Sequence, residues 1–182
     1  GLGSDHYRFA RNSNRMTAID LSVEHLRQTS RHFALEGLST RAILGDGENL
    51  PFRDGSFDLV YSFGVLHHTP DTARAIGEIH RVLRPGGVAI VGLYHRDSAF
   101  FWLQTILVNG LVKGGLVRKG LRRLLADIEY RSDPDSATPL VKVYSRASVR
   151  SLFARYRETR IATCHVEPGH FYRLAPLFSR LS

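Results

Sequence analysis

The sequence predicts an α/β fold in which an open, largely parallel sheet carries helices on both faces. Short apolar strands alternate with amphipathic helices from residue 16 to residue 93, as they do in β-α-β units. The run Val88 to Leu93 is almost continuously apolar, which is typical of a central strand covered on both sides. The turn Gly45-Asp46-Gly47-Glu48 follows one predicted strand and the loop from Gly64 follows the next, at the edge where such sheets bind ligands.

Chain length and composition restrict the class of protein. With 182 residues the chain can build one sizeable core, and a single domain over residues 1–182 is expected. Its hydrophobic content of 43% is that of a globular protein. The one cysteine, Cys164, excludes an internal disulfide and fits a reducing compartment, so we expect a cytoplasmic protein. No uninterrupted apolar run reaches the roughly 20 residues that are needed to span a bilayer.

The net charge of +8 is concentrated in the second half of the chain. Residues up to Val112 carry 11 Lys/Arg against 11 Asp/Glu, whereas Lys113 to Arg160 carry 12 against 5. A basic stretch of this kind attracts an acidic partner, an acidic substrate, an anionic membrane surface or nucleic acid, or it is simply the solvated face of basic helices. We do not expect nucleic acid, and the other interpretations stay open at this point.

The predicted elements are bounded by recognisable start and stop signals. In chain order they are a helix at 7–12, a strand at 16–20, a helix at 22–36, strands at 40–44 and 57–63, a helix at 70–83, a strand at 88–93, helices at 99–112, 115–128 and 145–156, and a strand at 161–166. Ser22 has the side chain to cap the second helix, and Gly37 stops it. Pro70 starts the next helix, and the run Pro85-Gly86-Gly87 is expected to end it.

Four strings stand out in the first half of the chain. They are Asp46-Gly47-Glu48-Asn49-Leu50-Pro51-Phe52, Ser56-Phe57-Asp58-Leu59-Val60, Val65-Leu66-His67-His68 and Arg81-Val82-Leu83-Arg84-Pro85-Gly86-Gly87. In this order and at this spacing they resemble a class I methyltransferase of the group that contains the quinone-biosynthesis methyltransferases. With their flanking segments they cover about residues 1–96. The resemblance implies a Rossmann-like methyltransferase sheet with helices on both faces, and S-adenosyl-L-methionine as the cofactor.

The resemblance also implies that the chain is cut at both ends. The family's motif Gly-x-Gly-x-Gly follows an apolar strand, and Gly1 and Gly3 match its last two glycines with no strand before them. The first strand of the family's sheet lies centrally, between the strands that end here at Asp20 and Phe63, and it is therefore expected to be missing. Because backbone groups on both neighbouring strands would lose partners, marginal stability and weak cofactor binding are expected.

By resemblance, the contacts to the cofactor lie at strand ends. Asp20 would accept hydrogen bonds from the ribose hydroxyls while Leu21 covers one face of the adenine. Asp46 would accept from the adenine amino group while the Gly47 amide donates to a ring nitrogen. Two structural interpretations remain beside these: Asp20 as an acid at a helix N-terminus, and Asp46 as the first residue of an Asx turn. The complete predicted set is Gly1, Gly3, Asp20, Leu21, Asp46, Gly47, Phe63 and Gly64.

The predicted acceptor side is the loop from Gly64 to Thr69 together with the end of the strand that follows. His67 is the candidate catalytic residue, as a general base or a group that orients the substrate, and Tyr94 and His95 would rim the acceptor pocket. His67 could equally hold the loop by hydrogen bonds, and Tyr94 could serve only in packing. The adjacent residues His67 and His68 point differently and have no third ligand, so no metal site is predicted.

Relatives in the resembling family build a lid from helices inserted after the fifth strand. Residues 98–130, with two predicted helices, are therefore interpreted as a lid or a wall of the acceptor pocket. The helix at 115–128 carries apolar residues at helical spacing and basic residues on its other faces. Such a helix could instead lie on an anionic membrane, so peripheral membrane contact remains an alternative.

Methyl transfer from a sulfonium is an in-line displacement with a neutral leaving group, so the protein needs to align and dry the reactants rather than supply a nucleophile. The predicted acceptor is a small molecule, and the apolar lid favours a lipophilic one. A nicotinamide dehydrogenase is one rival, but His6 stands where the dinucleotide fingerprint has its later glycine. The other rival is a non-catalytic module that binds an acidic partner or a membrane through the basic half. The oligomeric state is left open.

Overall fold

The computed structural model describes residues 15–38, 40–98, 100–126 and 140–163. In chain order the elements are β1 (Thr17–Asp20), α1 (Val23–Leu35), β2 (Arg41–Leu44), β3 (Phe57–Phe63), a short 3-10 turn (Leu66–His68), α2 (Thr72–Val82), β4 (Leu83–Gly92), α3 (Phe100–Val112), α4 (Gly115–Ala126) and α5 (Arg146–Leu152). The chain divides into two compact units. The first contains residues up to Val60 and Ala73–Val88, and the second contains Tyr61–Thr72 and the residues from Ala89 onward. The helix predicted at 7–12 lies outside the described residues.

In the first unit, β1 and β2 form a parallel pair connected by α1. The register places Asp20, the last residue of β1, opposite Leu44, the last residue of β2. The helix contacts both strands, and its N-cap is Ser22, whose side chain accepts a hydrogen bond from the His25 amide (3.2 Å). The predicted strand, capped helix and strand are thus confirmed. Because the strands are parallel and in register, their carboxyl ends lie at one edge.

The helix α2 buries an apolar stripe in the same unit. Ala75, Ile76, Ile79 and Val82 are almost completely buried, and their spacing is that of one helical face. The helix ends at Val82, one residue before the predicted Leu83, but Pro85-Gly86-Gly87 lie inside β4, which begins at Leu83 and not at the predicted Val88. A residue that precedes proline is restricted to extended conformations, so the chain is already extended before the glycines are reached.

The strands β3 and β4 are paired. A Cβ on Gly87 would lie 3.1 Å from the Asp58 carbonyl oxygen, and towards the far end of both strands the Gly64 amide donates to the Gly92 carbonyl oxygen (3.3 Å). The four strands of the described part of the chain therefore make two two-stranded sheets, and in that part β1 is not paired with β3.

The apolar run of β4 is less enclosed than its composition suggests. Val88 and Ile90 are 54% and 43% exposed, so the prediction of a strand covered on both faces is wrong for the described residues. An apolar run records which side chains suit burial, whereas the burial itself depends on elements that pack over each face.

The second unit contains the two helices predicted after β4. The first, α3, is wound more widely than an α-helix, since the Lys113 amide donates to the carbonyl oxygen of Val108, five residues earlier (3.0 Å). The second, α4, packs against α3 but is not the continuous helix that was predicted, because Gly120 interrupts it with φ of 74° and ψ of 164°. Val117 before the break is 93% exposed, whereas Leu124 after it is buried. The predicted single apolar face is therefore wrong.

The rest of the second unit closes around a small core of Phe101, Leu125 and Val141. The helix α5 begins as predicted at Ser145, whose side chain accepts a hydrogen bond from the Ser148 amide (3.1 Å). It ends at Leu152, earlier than predicted, and residues 161–163 do not form the expected strand, whose other residues are not described. None of the described helices has the length and apolar character required to cross a membrane.

Candidate functional site

Asp20 and Asp46 lie at the same edge of the β1–β2 pair. Asp20 ends its strand opposite Leu44, and Asp46 comes two residues after Leu44, beyond Gly45. The Gly45 amide donates to the Asp20 carbonyl oxygen (3.1 Å), which joins the two strand ends directly. The structure therefore places the two predicted acids at the same edge of this pair.

The Asp20 carboxylate is held in a defined position. Its Oδ1 accepts a hydrogen bond from the Ser22 amide (2.9 Å) and lies 3.4 Å from the His25 Nδ1, and the side chain is 22% exposed. Burial raises the pKa of Asp20, but hydrogen bonding to the carboxylate, including that from the Ser22 amide, and nearby positive charge lower it below the ordinary value. Asp20 is thus an ionised acceptor at neutral pH. Its predicted structural role at the start of α1 coexists with this.

The turn that carries Asp46 is stiffened by its own hydrogen bonds. Asp46 Oδ1 accepts from the Glu48 amide (2.9 Å), and its carbonyl oxygen accepts from the Asn49 amide (3.1 Å). The Asx turn that was the alternative interpretation is therefore present. A Cβ on Gly47 would meet nothing within 4 Å, and Leu21 at the end of β1 is 71% exposed. These two residues leave backbone and apolar surface accessible beside the acids.

Two residues that the sequence analysis did not single out, Glu78 and Arg81, hold the segment that follows this turn. The Glu78 carboxylate accepts from the Leu50 amide (2.8 Å), and Arg81 donates to the Leu50 carbonyl oxygen (2.9 Å). Arg81 also makes two hydrogen bonds of 2.7 Å to Glu78. The two charges lie three residues apart on α2, beside its buried stripe. Opposite charges at that spacing are the signal that could have found them.

The Glu78 carboxyl group is expected to make the free energy of unfolding depend on pH. Hydrogen bonding from Arg81, opposed by partial burial and assisted by the Leu50 amide, holds the pKa of Glu78 below its ordinary value of 4.5. A carboxyl group of lowered pKa stabilises the fold above its unfolded pKa, and this contribution is lost as the pH falls through the folded pKa. We therefore expect the free energy of unfolding to fall as the pH drops below 4.5.

Urea unfolding from neutral to acid pH measures this loss, and Glu78→Gln provides the control because it has no carboxyl group at that position. The wild type is expected to lose more stability below pH 4.5 than Glu78→Gln does. Parallel losses in the two proteins would show that other carboxyl groups are responsible.

In the second unit the predicted acceptor residues lie close together. The rings of His67 and Tyr94 are stacked, with centroids 3.9 Å apart and planes 26° apart, and His67 is fully buried. The Lys142 amide donates to the His67 carbonyl oxygen (3.0 Å), and His68 Nδ1 lies 2.7 Å from the Leu140 carbonyl oxygen. The loop of the paired histidines is thus fastened to the chain before α5.

The remaining predicted site residues lie near the ends of β3 and β4 or outside the described residues. His95 follows Tyr94, and its Nε2 lies 3.9 Å from the Asp97 carboxylate. Phe63 is more than half exposed at the end of β3, and Gly64 has φ of 75°, a conformation that favours glycine. Gly1 and Gly3 lie outside the described residues. Within 15–38, 40–98, 100–126 and 140–163, no group of three or more His, Cys, Asp or Glu side chains could hold a metal ion.

Acidic residues at the carboxyl ends of neighbouring parallel strands lie at the edge where open α/β sheets bind their ligands. A family profile described as a methyltransferase domain matches residues 1–91, which is half of the chain. The chain therefore belongs to the methyltransferase domain family, and its cofactor is S-adenosylmethionine, as the sequence predicted.

Two named relatives are methyltransferases of small or carrier-bound molecules. The malonyl-[acyl-carrier protein] O-methyltransferase of Pectobacterium atrosepticum is 39% identical over 90 residues, which cover 48% of this chain and 34% of that protein. The 2-methyl-6-phytyl-1,4-hydroquinone methyltransferase 1 of Oryza sativa subsp. japonica is 37% identical over 95 residues, which cover 52% of this chain and 27% of that protein. The chain spans between about a quarter and a half of the length of such relatives.

The fold is confirmed by comparison with a solved structure. An S-adenosylmethionine-dependent methyltransferase from Methanosarcina mazei aligns with a TM-score of 0.67 at 19% identity, over 92% of this chain and 81% of that one. The predicted Rossmann-like α/β class is therefore correct.

Proposed function

We propose that this protein transfers a methyl group from S-adenosylmethionine to a small, lipophilic acceptor. The observation that supports this most is the placement of Asp20 and Asp46 after neighbouring parallel strands, which suits the two ends of an adenosine. The relative from Oryza sativa is named for a phytyl hydroquinone, and large apolar side chains are exposed on α3 and α4. Both of these support a lipophilic acceptor.

The residues of the first unit fit the adenosine part of the cofactor. The ionised Asp20 carboxylate can accept from the ribose hydroxyls, and the exposed Leu21 offers an apolar surface to the adenine. Asp46 provides an acceptor for the adenine amino group, and the open backbone of Gly47 provides a donor. For Gly1, Gly3 and the backbone of Phe63 and Gly64 we propose the cofactor contacts that the resemblance implies.

When bound, S-adenosylmethionine supplies an electrophilic methyl group whose transfer leaves a neutral thioether. The chain itself has to fix the cofactor, exclude water and hold the acceptor in line with the methyl group. We assign the first task to Asp20 and Asp46. We assign the exclusion of water to residues 98–130, acting as a lid through α3 and α4.

The acceptor side is assigned to His67, Tyr94 and His95. The His67 ring is enclosed against Tyr94, and a fully buried ring reaches an acceptor only if its loop opens. This burial and stacking favour a packing role for His67 over that of a general base. The membership of the chain in an enzyme family favours catalysis over a non-catalytic module.

Isothermal titration calorimetry tests the cofactor assignment. We expect S-adenosylmethionine and S-adenosylhomocysteine to bind and NAD not to bind, because His6 stands where the dinucleotide fingerprint has its later glycine. Binding of NAD alone would replace the proposal with a dehydrogenase-type site. Binding of none of the three would favour the non-catalytic module.

The same preparation tests the acceptor. With a labelled methyl group on S-adenosylmethionine, a phytyl-substituted hydroquinone is expected to be methylated faster than the same hydroquinone without the tail. Equal rates would remove the lipophilic part of the proposal and leave the methyl transfer.

A further inference from the structure

The helix α2 holds the segment between β2 and β3 through the backbone amide and the backbone carbonyl group of Leu50. The Leu50 amide donates to Glu78 Oε2 (2.8 Å), and the Leu50 carbonyl oxygen accepts from Arg81 Nη2 (2.9 Å). The Leu50 side chain is buried as well. A residue whose amide, carbonyl and side chain are all engaged cannot shift without breaking several interactions together.

Arg81 uses its whole donor capacity in this cluster. A guanidinium group has five N–H donors in a rigid fork, and five hydrogen bonds of 2.7–2.9 Å leave Arg81. The acceptors are both carboxylate oxygens of Glu78, one oxygen of Asp54, and the carbonyl oxygens of Leu50 and Phe52. A lysine could keep the charge but has one nitrogen and three donors, so it cannot reproduce this set.

The anchoring continues to the start of β3. The Gly55 amide donates to the Arg81 carbonyl oxygen (3.0 Å), and the Ser56 amide donates to the Val82 carbonyl oxygen (2.7 Å). The rings of Phe52 and Phe57 pack edge to face with centroids 4.8 Å apart. The end of α2 therefore fixes the chain from Leu50 to Ser56.

The turn that carries Asp46 lies between two fixed points. At one end the Gly45 amide is bonded to the carbonyl oxygen of Asp20, and at the other end Leu50 is held by α2. The internal bonds of the turn keep its shape, so its position relative to Asp20 is set by these two ends. A displacement of about 1 Å at a binding group is enough to change its interaction strongly.

We propose that Glu78 and Arg81 are positioning residues that set Asp46 and Gly47 at the correct distance from Asp20 for an adenine ring. The inference rests on the proposed function, since it concerns the adenine end of the same site. The two residues bond to the chain at Leu50, Phe52 and Asp54, so they would act on Asp46 through the backbone. A positioning role differs from simple stabilisation in what it predicts. Replacing either residue should change the preference between adenine and a modified base even when the protein is fully folded.

The experiment compares S-adenosylhomocysteine with S-inosylhomocysteine, in which a carbonyl oxygen replaces the adenine amino group. Asp46 accepts from the amino group but repels the carbonyl oxygen, so the wild type should prefer the adenine form by about tenfold or more. In Arg81→Lys this preference is expected to fall by roughly tenfold, the equivalent of one hydrogen bond to a charged group. Calorimetry is done below the unfolding transition of each protein, as judged from circular dichroism.

Arg84→Lys is the matched control. Arg84 pairs with Asp58 (2.6 Å) at the surface, where both side chains are largely exposed, so this change should leave the preference unaltered. If Arg81→Lys does not fold, Glu78→Gln takes its place, because it keeps an oxygen for the Leu50 amide and loses the charge that holds Arg81. Glu78 and Arg81 together form the clamp on Leu50. Hydrogen exchange at Leu50 should be faster in either clamp variant, Arg81→Lys or Glu78→Gln, than in Arg84→Lys.

The outcomes separate the two proposals. If the wild type binds neither ligand, the proposed function fails and this inference fails with it. If the wild type prefers the adenine form and the clamp variants keep the same preference, the positioning role is refuted while the proposed function stands.

Discussion

Replacing Asp20 with alanine is expected to weaken the binding of S-adenosylhomocysteine about 100-fold. We assign two hydrogen bonds from ribose hydroxyls to this carboxylate, and each bond to a charged group contributes about 1.5–3 kcal/mol. Two bonds at the lower end of that range account for the expected loss. Calorimetry at neutral pH measures it, because the lowered pKa of Asp20 keeps the group ionised there.

Two further variants serve as controls. One distinguishes the loss of the Asp20 charge from a loss of structure at the start of α1, and the other measures the effect of removing a different carboxylate. Asp20→Asn keeps an oxygen that can accept from the Ser22 amide at the start of α1, so it should fold normally and lose about tenfold in affinity. Asp58→Ala removes an exposed carboxylate of the same unit, and its affinity should stay within about twofold of the wild type. An Asp20→Ala protein that binds as tightly as Asp58→Ala would remove Asp20 from the cofactor site.

The part of the site built from β1 and β2 was accessible to sequence reasoning because it follows from local patterns and one topological rule. The short apolar runs, the Ser22 cap and the stop at Gly37 define a strand, a helix and a strand. Parallel strands place their carboxyl ends at one edge, and this brings Asp20 and Asp46 together without any knowledge of side-chain packing.

The clamp on Leu50 was not accessible in this way. Glu78 and Arg81 are recognisable from the sequence as a charged pair on a helix, but their partners lie 28 to 31 residues earlier. No local pattern states which carbonyl groups an arginine will face, because that depends on how the 45–56 segment crosses the end of α2. Contacts of this kind are decided by tertiary packing.

The break in α4 was missed for a related reason. Apolar residues at helical spacing on both sides of Gly120 suggested one continuous face, and an isolated glycine lowers helix propensity only modestly. In the structure Gly120 adopts a positive φ that other residues rarely adopt, and the two halves of α4 point different side chains inward. Spacing alone does not distinguish a tolerated glycine from one that is used as a break.

Replacing Gly115 with alanine is expected to destabilise the second unit by about 1–3 kcal/mol. Gly115 is buried where α3 passes into α4, and a Cβ at this position would overlap the Asn109 carbonyl oxygen and lie 3.1 Å from Leu124 Cδ1. A carbonyl oxygen of the helix backbone cannot rotate away as a flexible side chain can, so the two helices must separate. Urea unfolding followed by tryptophan fluorescence measures the effect, since Trp102 is the only tryptophan and lies on α3.

Gly77→Ala makes the same chemical change on α2 and should have the opposite sign. A Cβ on Gly77 would meet no atom within 4 Å, and alanine loses less backbone entropy in a helix, so a gain of about 0.5–1 kcal/mol is expected. The two variants therefore compare two kinds of helical glycine. Gly115 allows two helices to approach closely, whereas the conformational freedom of Gly77 serves no such contact. If Gly115→Ala were as stable as Gly77→Ala, the tight junction between α3 and α4 would be contradicted, and with it the paired helices that we assign to the lid.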